Sequence, residues 1–317
     1  MKQYPIEDIK APAYLFIGGS VLYIKDNIKV QKTSSRLDVA TSHAIKAGDI
    51  ITDQAITIKG SPVAFSNIDA LFKELKLVKG ARLPKIENCY IAARVASGKW
   101  VKWSFLPAIH DTIGSITFGA NLPLGEHGWT VYPDPTAAMV TSSELDAAPT
   151  VPAMTDAGKF MLRCLGVYGE GDSAIDFDTD GASIDISLST EDATNDRLIK
   201  YGKNLTDISV SAKFKPRNIT LEKWQNLTGI LKTDTIGEFA GISSLPNLVL
   251  RGAKKDDFTF TLASARCTDP SATFGPSEPL MDELTFEALG DVLGDNKLTI
   301  GTAAADFVFE TEPVVVA

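Results

Sequence analysis

Histidine and cysteine are scarce in this chain and long apolar runs are missing; each shortage removes a class of function. Its 317 residues hold 3 His and 3 Cys. Cys89, Cys164 and Cys267 lie far apart with no paired spacing, which argues against a disulfide scaffold and against a zinc site; they are expected to be buried thiols of a protein made in a reducing cytoplasm. His43, His110 and His127 each stand apart from any Ser or Cys motif, so the usual acid–base and nucleophile pairings are not in sight. No G-x-S-x-G, H-E-x-x-H, P-loop or dinucleotide fingerprint occurs. No run approaches the roughly eighteen apolar residues a membrane helix needs, and Met1-Lys2-Gln3-Tyr4-Pro5 carries no apolar signal core, so neither a membrane partner nor a leader is expected. No catalytic, cofactor-binding or metal-binding residue is assigned, and the chain is expected not to be an enzyme.

A hydrophobic content of 44% against 22% charged residues is that of a globular protein with a real core. The net charge of -9 is unevenly held. Through residue 155 there are 16 Lys/Arg and 14 Asp/Glu, beyond it 15 and 26, so the halves carry +2 and -11. Without a basic stripe, an acidic chain is not expected to grip nucleic acid, since grip comes from neutralising phosphates.

What the chain does have is a repeat. Asp38 to Pro62 laid over Asp192 to Pro216, a shift of 154, matches Asp38/Asp192, Ile45/Ile199, Lys46/Lys200, Gly48/Gly202, Thr52/Thr206, Asp53/Asp207, Lys59/Lys213 and Pro62/Pro216. Distant segments agree on nearly the same shift. Trp103-Ser104-Phe105 falls on Phe258-Thr259-Phe260, and Thr117-Phe118-Gly119 with Pro123-Leu124 falls on Thr273-Phe274-Gly275 with Pro279-Leu280. Order and spacing are kept, the signature of a tandem duplication.

Short alternating runs separated by Gly, Pro, Asn and Asp predict a mainly β chain. Gln54 to Ile58 alternates; Ile86 to Val95, a turn at Ser97-Gly98 and Val101-Trp103-Phe105 read as a hairpin. Ile208 to Phe214, Leu248 to Leu250 and Phe258-Phe260-Leu262 take the same places in the second copy, and Asp306 to Phe309 reads as a late strand. One helix is expected per copy. The first has Ser66 as N-cap and Ile68, Leu71, Phe72 and Leu75 as its apolar stripe; the second has Thr220 as cap and Leu221, Trp224, Leu227 and Leu231. The stretch from Pro133 to Pro152, rich in Pro, Ala, Ser and Thr, reads as a linker. The predicted architecture is two tandem β-sandwich or open-barrel domains with one packed helix each: residues 1–140, a linker at 141–158, and residues 159–317.

Three motifs imitate chemistry. Asp176-Phe177-Asp178-Thr179-Asp180-Gly181 matches the start of an EF-hand loop, but Ser187 at the twelfth position supplies no bidentate carboxylate, and Ile184-Asp185-Ile186 reads as strand. An Asp-Gly turn in an acidic hairpin is the expectation, and cation binding by Asp176, Asp178 and Asp180 is left open. Asn204, Asn218 and Asn226 fit the glycosylation pattern by chance if no leader directs the chain outward. Trp100 and Trp103 could suggest a stacking platform for bases, but Lys99 and Lys102 offer only a hint of the cationic groove it needs, so packing on a hairpin face is expected.

A tandem of small β-domains, each with a capped helix on a sandwich, an acidic balance and no catalytic constellation resembles the tail tube proteins of long-tailed bacteriophages, a fold reused in the tube-like hubs of related injection machines. The resemblance covers both halves and rests on element order and duplication. It implies single-domain subunits forming hexameric rings that stack into a channel for DNA; a duplicated chain would build the same ring as a pseudo-sixfold trimer. The implied partners are the chain itself, within and between rings, and the tape measure, baseplate and terminator proteins, with DNA passing through the lumen without specific binding. The implied location is the virion tail, assembled in the host cytoplasm. Acidic groups on the inner wall would let DNA slide. The N-terminal arm Met1 to Ala13, the linker, the loop at Ser97-Gly98 and the tail Pro313 to Ala317 are candidates to reach the next ring. Two other readings stand beside this one: a trimeric baseplate hub or distal tail ring, and a carbohydrate-binding pair of β-sandwiches, for which Trp129 and Trp100 are the tempting residues.

Overall fold

The repeated blocks lie in two long antiparallel hairpins, and the other strands are arranged around them. The computed structural model describes residues 9–41, 44–63, 71, 77, 79–118, 124–134, 136–152, 164–194, 200–217, 219–229, 245–252, 259–268, 270–274, 279–290, 297–301 and 306–308. These form a mainly β structure of extensive antiparallel sheets with one α-helix among the described residues, a β-sandwich type of architecture.

One sheet runs, edge to edge, β11 (Val140–Leu145), β7 (Trp100–Phe105), β6 (Tyr90–Val95), β1 (Ile9–Ile17), β2 (Ser20–Leu22). A second runs β3 (Lys29–Thr41), β4 (Ala44–Gly60), β10 (His127–Val131), β8 (Ala108–Thr112), β5 (Lys85–Ile86). The largest runs β17 (Ala265–Cys267), β20 (Leu284–Ala288), β14 (Lys200–Arg217), β13 (Ile175–Thr194), β12 (Cys164–Tyr168), β15 (Leu248–Gly252), β16 (Thr259–Leu262), β21 (Leu298–Gly301), β22 (Asp306–Val308). Strand β9 (Ile116–Phe118) adds to β13, and β18 (Ala272–Phe274) pairs with β19 (Pro279–Met281).

The duplication is visible in register as well as in letters. Lys29 faces Lys59 and Val30 faces Ile58 in the first hairpin; Ser183 faces Lys213 and Ile184 faces Ala212 in the second, each position 154 residues on. Both hairpins carry a bulge at the same place. Thr52 is the extra residue between Ile51 and Asp53, which face Arg36 and Ser35, and Thr206 is the extra residue between Leu205 and Asp207, which face Thr190 and Ser189. The neighbour orders recur too: β7-β6-β1 against β16-β15-β12, and β4-β10-β8 against β14-β20-β17.

The halves differ in how the long strand begins. In the first, β2 and β3 are separate and belong to different sheets. In the second, β13 runs 20 residues and pairs with β12 at one end and β14 along the rest, stitching both sheets into one. Gly181 makes this workable. It lies at a register shift with φ +63, so it is a bulge inside a continuous strand and not the hairpin turn expected from the Asp-Gly pair. Because side chains alternate with period two, one extra residue exchanges the faces. Phe177 and Thr179 point into the core before the bulge, and Ala182, Ile184 and Ile186 after it.

Elsewhere alternation works as the sequence suggests. Ile56 and Ile58 on β4, and Ile208, Val210, Ala212 and Phe214 on β14, are buried between more exposed neighbours. The buried side chains form one connected cluster drawing on both halves. Trp129, Phe214, Phe260 and Phe286 are among its fully enclosed members, each contributing about 1.5–3 kcal/mol by burial.

Four expectations are corrected. The stretch from Ile86 to Val95 is not one strand: Asn88, at φ 55, turns the chain so that β5 pairs with β8 in one sheet and β6 with β1 and β7 in the other. Asn accepts that left-handed geometry more readily than most side chains. The stretch at 133–152 read as linker, with 141–158 assigned to it, contains β11, an edge strand pairing Val140 with Phe105 and Leu145 with Trp100. Its polar Thr-Ser-Ser-Glu centre reads as loop because one side of an edge strand faces water. Helix α1 (Leu221–Thr228) is capped as expected, the Thr220 hydroxyl accepting from the Lys223 N–H at 3.2 Å, and it ends on left-handed Gly229. Leu221, however, is 56% exposed; the buried stripe is Trp224, Leu227 and Thr228. Cys267 is half-buried, unlike Cys89 and Cys164. The first expected helix lies outside the described residues except for Leu71, which is helical and buried. Leu231, Phe258 and Phe309 also lie outside them.

Gly181→Ala is expected to lose about 1–2 kcal/mol in denaturant unfolding, because an L side chain pays for left-handed backbone even where, as here, no atom obstructs its Cβ.

Candidate functional site

Sequence reasoning kept the histidines apart, yet the fold joins two of them. Neighbouring strands β8 and β10 bring His110 Nε2 to 3.0 Å from His127 Nδ1, beside the ring of Trp129. The cross-strand partnership of His110 with Trp129 was the one available signal, readable only once the strands are paired. Both histidines are enclosed in the core. Burial pushes His110 down to about 4, and burial, with the repulsion that a second proton on the pair would meet, holds His127 well below its ordinary value. The pair is therefore neutral near pH 7, one ring donating to the other. The register-equivalent positions in the second half are Cys267, Leu284 and Phe286. The pair has no exposed face and packs in the core where the second half carries largely apolar side chains. His43 lies outside the described residues.

The three aspartates do not converge. Asp176, Asp178 and Asp180 alternate along the solvent side of β13, and Asp180 pairs with the Arg217 guanidinium. Arg251 shares a shallow recess of about 330 Å³ with Asp176 and Asp178. Among the described residues no group of three or more His, Cys, Asp or Glu side chains could hold a metal ion.

Nor do the tryptophans form a platform. Three residues apart on one strand, Trp100 and Trp103 face opposite sides: Trp103 packs on the core, and Trp100 stacks on Tyr14. Lys99 is tied to Glu144 at 2.9 Å and Lys102 sits 4.1 Å over the Tyr90 ring. Trp129, the better candidate for a sugar, is fully buried, which corrects that suggestion. Among the described residues no helix is long and apolar enough to cross a membrane.

The feature without a local explanation is an asymmetry between equivalent positions. Val30 is 47% exposed while its counterpart Ile184 is fully buried; Ile51 is 47% exposed while Leu205 is fully buried. First-half residues do the covering. Strand β9 pairs with β13, setting Phe118, Thr117 and Ile116 against Ala182, Ser183 and Ile184. Residues 80–83 run along β14: Gly80 N–H donates to the Leu205 carbonyl at 2.8 Å, Leu205 N–H to the Ala81 carbonyl at 2.9 Å, and Leu83 N–H to the Lys203 carbonyl at 2.9 Å. Polar contacts finish the junction. Lys203 meets the nearly enclosed Asp111 carboxylate at 2.7 Å, Lys200 bridges Asp53 and Asp192, and Arg82 lies 4.5 Å over the Tyr201 ring. In the first hairpin β3 pairs only with β4 among the described residues, and residues 29–38 are exposed throughout.

Of the segments expected to reach a neighbouring ring, residues 9–13 of the N-terminal arm belong to β1, which pairs with β6, and residues 1–8 lie outside the described residues. Ser97-Gly98 is an exposed tight turn closed by the Gly98 N–H to the Val95 carbonyl at 2.9 Å. The tail Pro313 to Ala317 lies outside the described residues. Compared with models of known protein families and with curated proteins, the chain matches neither.

The histidine pair gives a pH test. A depressed histidine contributes in full above about pH 6.5, and its contribution is lost as the unfolded chain takes up protons the native state refuses. Between pH 6.5 and 4 His110 alone should cost about 3 kcal/mol. The melting temperature is expected to fall across pH 6.5–5, ahead of carboxylate titration, and His110→Gln should flatten that stretch; identical profiles would remove the assignment.

Proposed function

We propose that this chain is a structural subunit of a bacteriophage tail tube: two similar β-units in tandem, three chains to a pseudo-hexameric ring, rings stacked into a channel through which DNA passes. The first unit would end with β11 near residue 145 and the second would begin near residue 159. The observation that carries this reading is the asymmetry of cover. Strand edges that the first half covers on the second are unpaired on the first among the described residues, and the equivalent apolar side chains Val30 and Ile51 are exposed, which is the state of a unit whose neighbour in a closed array is another chain. An exposed edge of that length is an aggregation hazard unless assembly pairs it, and a head-to-tail contact stays finite when its rotation closes.

Under this proposal the chain has no catalytic role and works in the virion tail, joined by tape measure, baseplate and terminator proteins. The -11 of the second half against the +2 of the first would give such a ring threefold charge on sixfold shape. Acids facing the channel would repel phosphate within the roughly 8 Å that physiological salt leaves unscreened.

Negative-stain microscopy of the purified chain, with mass measured in solution, tests the proposal. Hollow tubes, or rings with the mass of three chains, are the expected result; discrete rings that never stack would favour a hub or distal ring component. A particle that stays monomeric at high concentration would overturn the assembly reading. A reconstruction with a neutral or basic lumen would remove the sliding role of the acids and leave the tube.

A further inference from the structure

The junction between the two halves is a template for a junction between two chains. Strand β18 is the second-half twin of β9: the sequence match Thr117-Phe118 to Thr273-Phe274 places it, and each is flanked on one side by an equivalent segment. For β9 this is Leu124, bridged to Ile116; for β18 it is β19, with Leu280 facing Thr273. The other edge of β9 is used, since it lies on β13. The other edge of β18 meets no partner among the described residues. The twin of the β13 segment at 182–184 is residues 28–30, at the start of β3. Its outer edge is likewise unpaired among the described residues, and Val30 is exposed where Ile184 is covered.

From this we infer that β18 of one chain adds antiparallel to the start of β3 in a second copy, with Phe274 opposite Ile28, Thr273 opposite Lys29 and Ala272 opposite Val30. The register is that of Phe118 on Ala182, Thr117 on Ser183 and Ile116 on Ile184, carried forward by the offsets of the repeat. The occupant is a second copy because the operation relating the halves places the first unit's strand on the second unit. Applied once more, it places the second unit's strand on a third unit, which a single chain does not contain. The contact is head-to-tail, each chain giving β18 and receiving on β3. It would cover Val30 as β9 covers Ile184. Exposed Ile51 would be covered in the same way, on the edge equivalent to the one along which residues 80–83 cover Leu205. The inference rests on the ring-forming reading and specifies which edges meet.

Paired cysteines test it in the full-length chain, in a Cys267→Ala background that removes the half-buried native thiol. Facing residues of an antiparallel pair lie within disulfide reach. Lys29→Cys with Thr273→Cys is expected to give covalent multimers on oxidation. Thr117→Cys with Ser183→Cys, the same contact inside one chain, is expected to give a crosslinked monomer, which also reports that the fold is intact. Val30→Lys should raise the protein concentration needed for half-assembly by roughly tenfold or more, about 1.4 kcal/mol. Assembled particles with no intermolecular crosslink, and with Val30→Lys without effect, would overturn this contact while leaving the ring reading in place. A wild-type chain that stays monomeric overturns both, and failure of the control crosslink removes the template itself.

Discussion

Unpaired backbone is the constraint from which the rest of this structure follows. Each strand edge carries N–H and C=O groups that must be met by another strand, a side chain or water. The chain meets them with long antiparallel hairpins and then lays short pieces of backbone along edges of the second hairpin. Strand β9 against β13, and residues 80–83 against β14, are two such pieces. Both come from the first half and both serve the second. The ion pairs at Lys203 and Lys200 and the ring contact of Arg82 add specificity to a junction whose frame is backbone hydrogen bonding.

The repeat was legible because it sits where backbone geometry is least negotiable. Thr52 and Thr206 match in the alignment, and both are the extra residue of a bulge. Gly48 and Gly202 match at the next irregular step, opposite Val39 and Ala193. Alternation on β4 and β14 was legible for the usual reason, since one face of each is buried. The cap of α1 was legible because Thr220 precedes an apolar stripe. The exposure of Leu221 was not, because spacing along a helix does not say how far the surface beneath it extends.

The misreadings share a cause: a local signal has more than one tertiary use. Asp180-Gly181 suits a hairpin turn and a bulge alike, since both need a residue at positive φ, and only the length of β13 decides. The Ser- and Thr-rich strand β11 resembles loop because edge strands need little apolar surface. His110 and His127 are 17 residues apart and meet only through the pairing of β8 with β10. Their neutral contact fills a place that the second half fills with apolar groups, so duplicate units have reached the same packing with different chemistry.

The twin bulges also bear on fidelity. A uniform ribbon of more than a dozen residues could slide by two positions with little change in its pattern of faces. One carrying a single extra residue at a set point cannot, because the bulge would have to migrate along with the slip. Thr52 and Thr206 therefore act as index marks. They transmit the alignment set at the core out to the far ends of the arms, so that each copy presents its edge in the same phase.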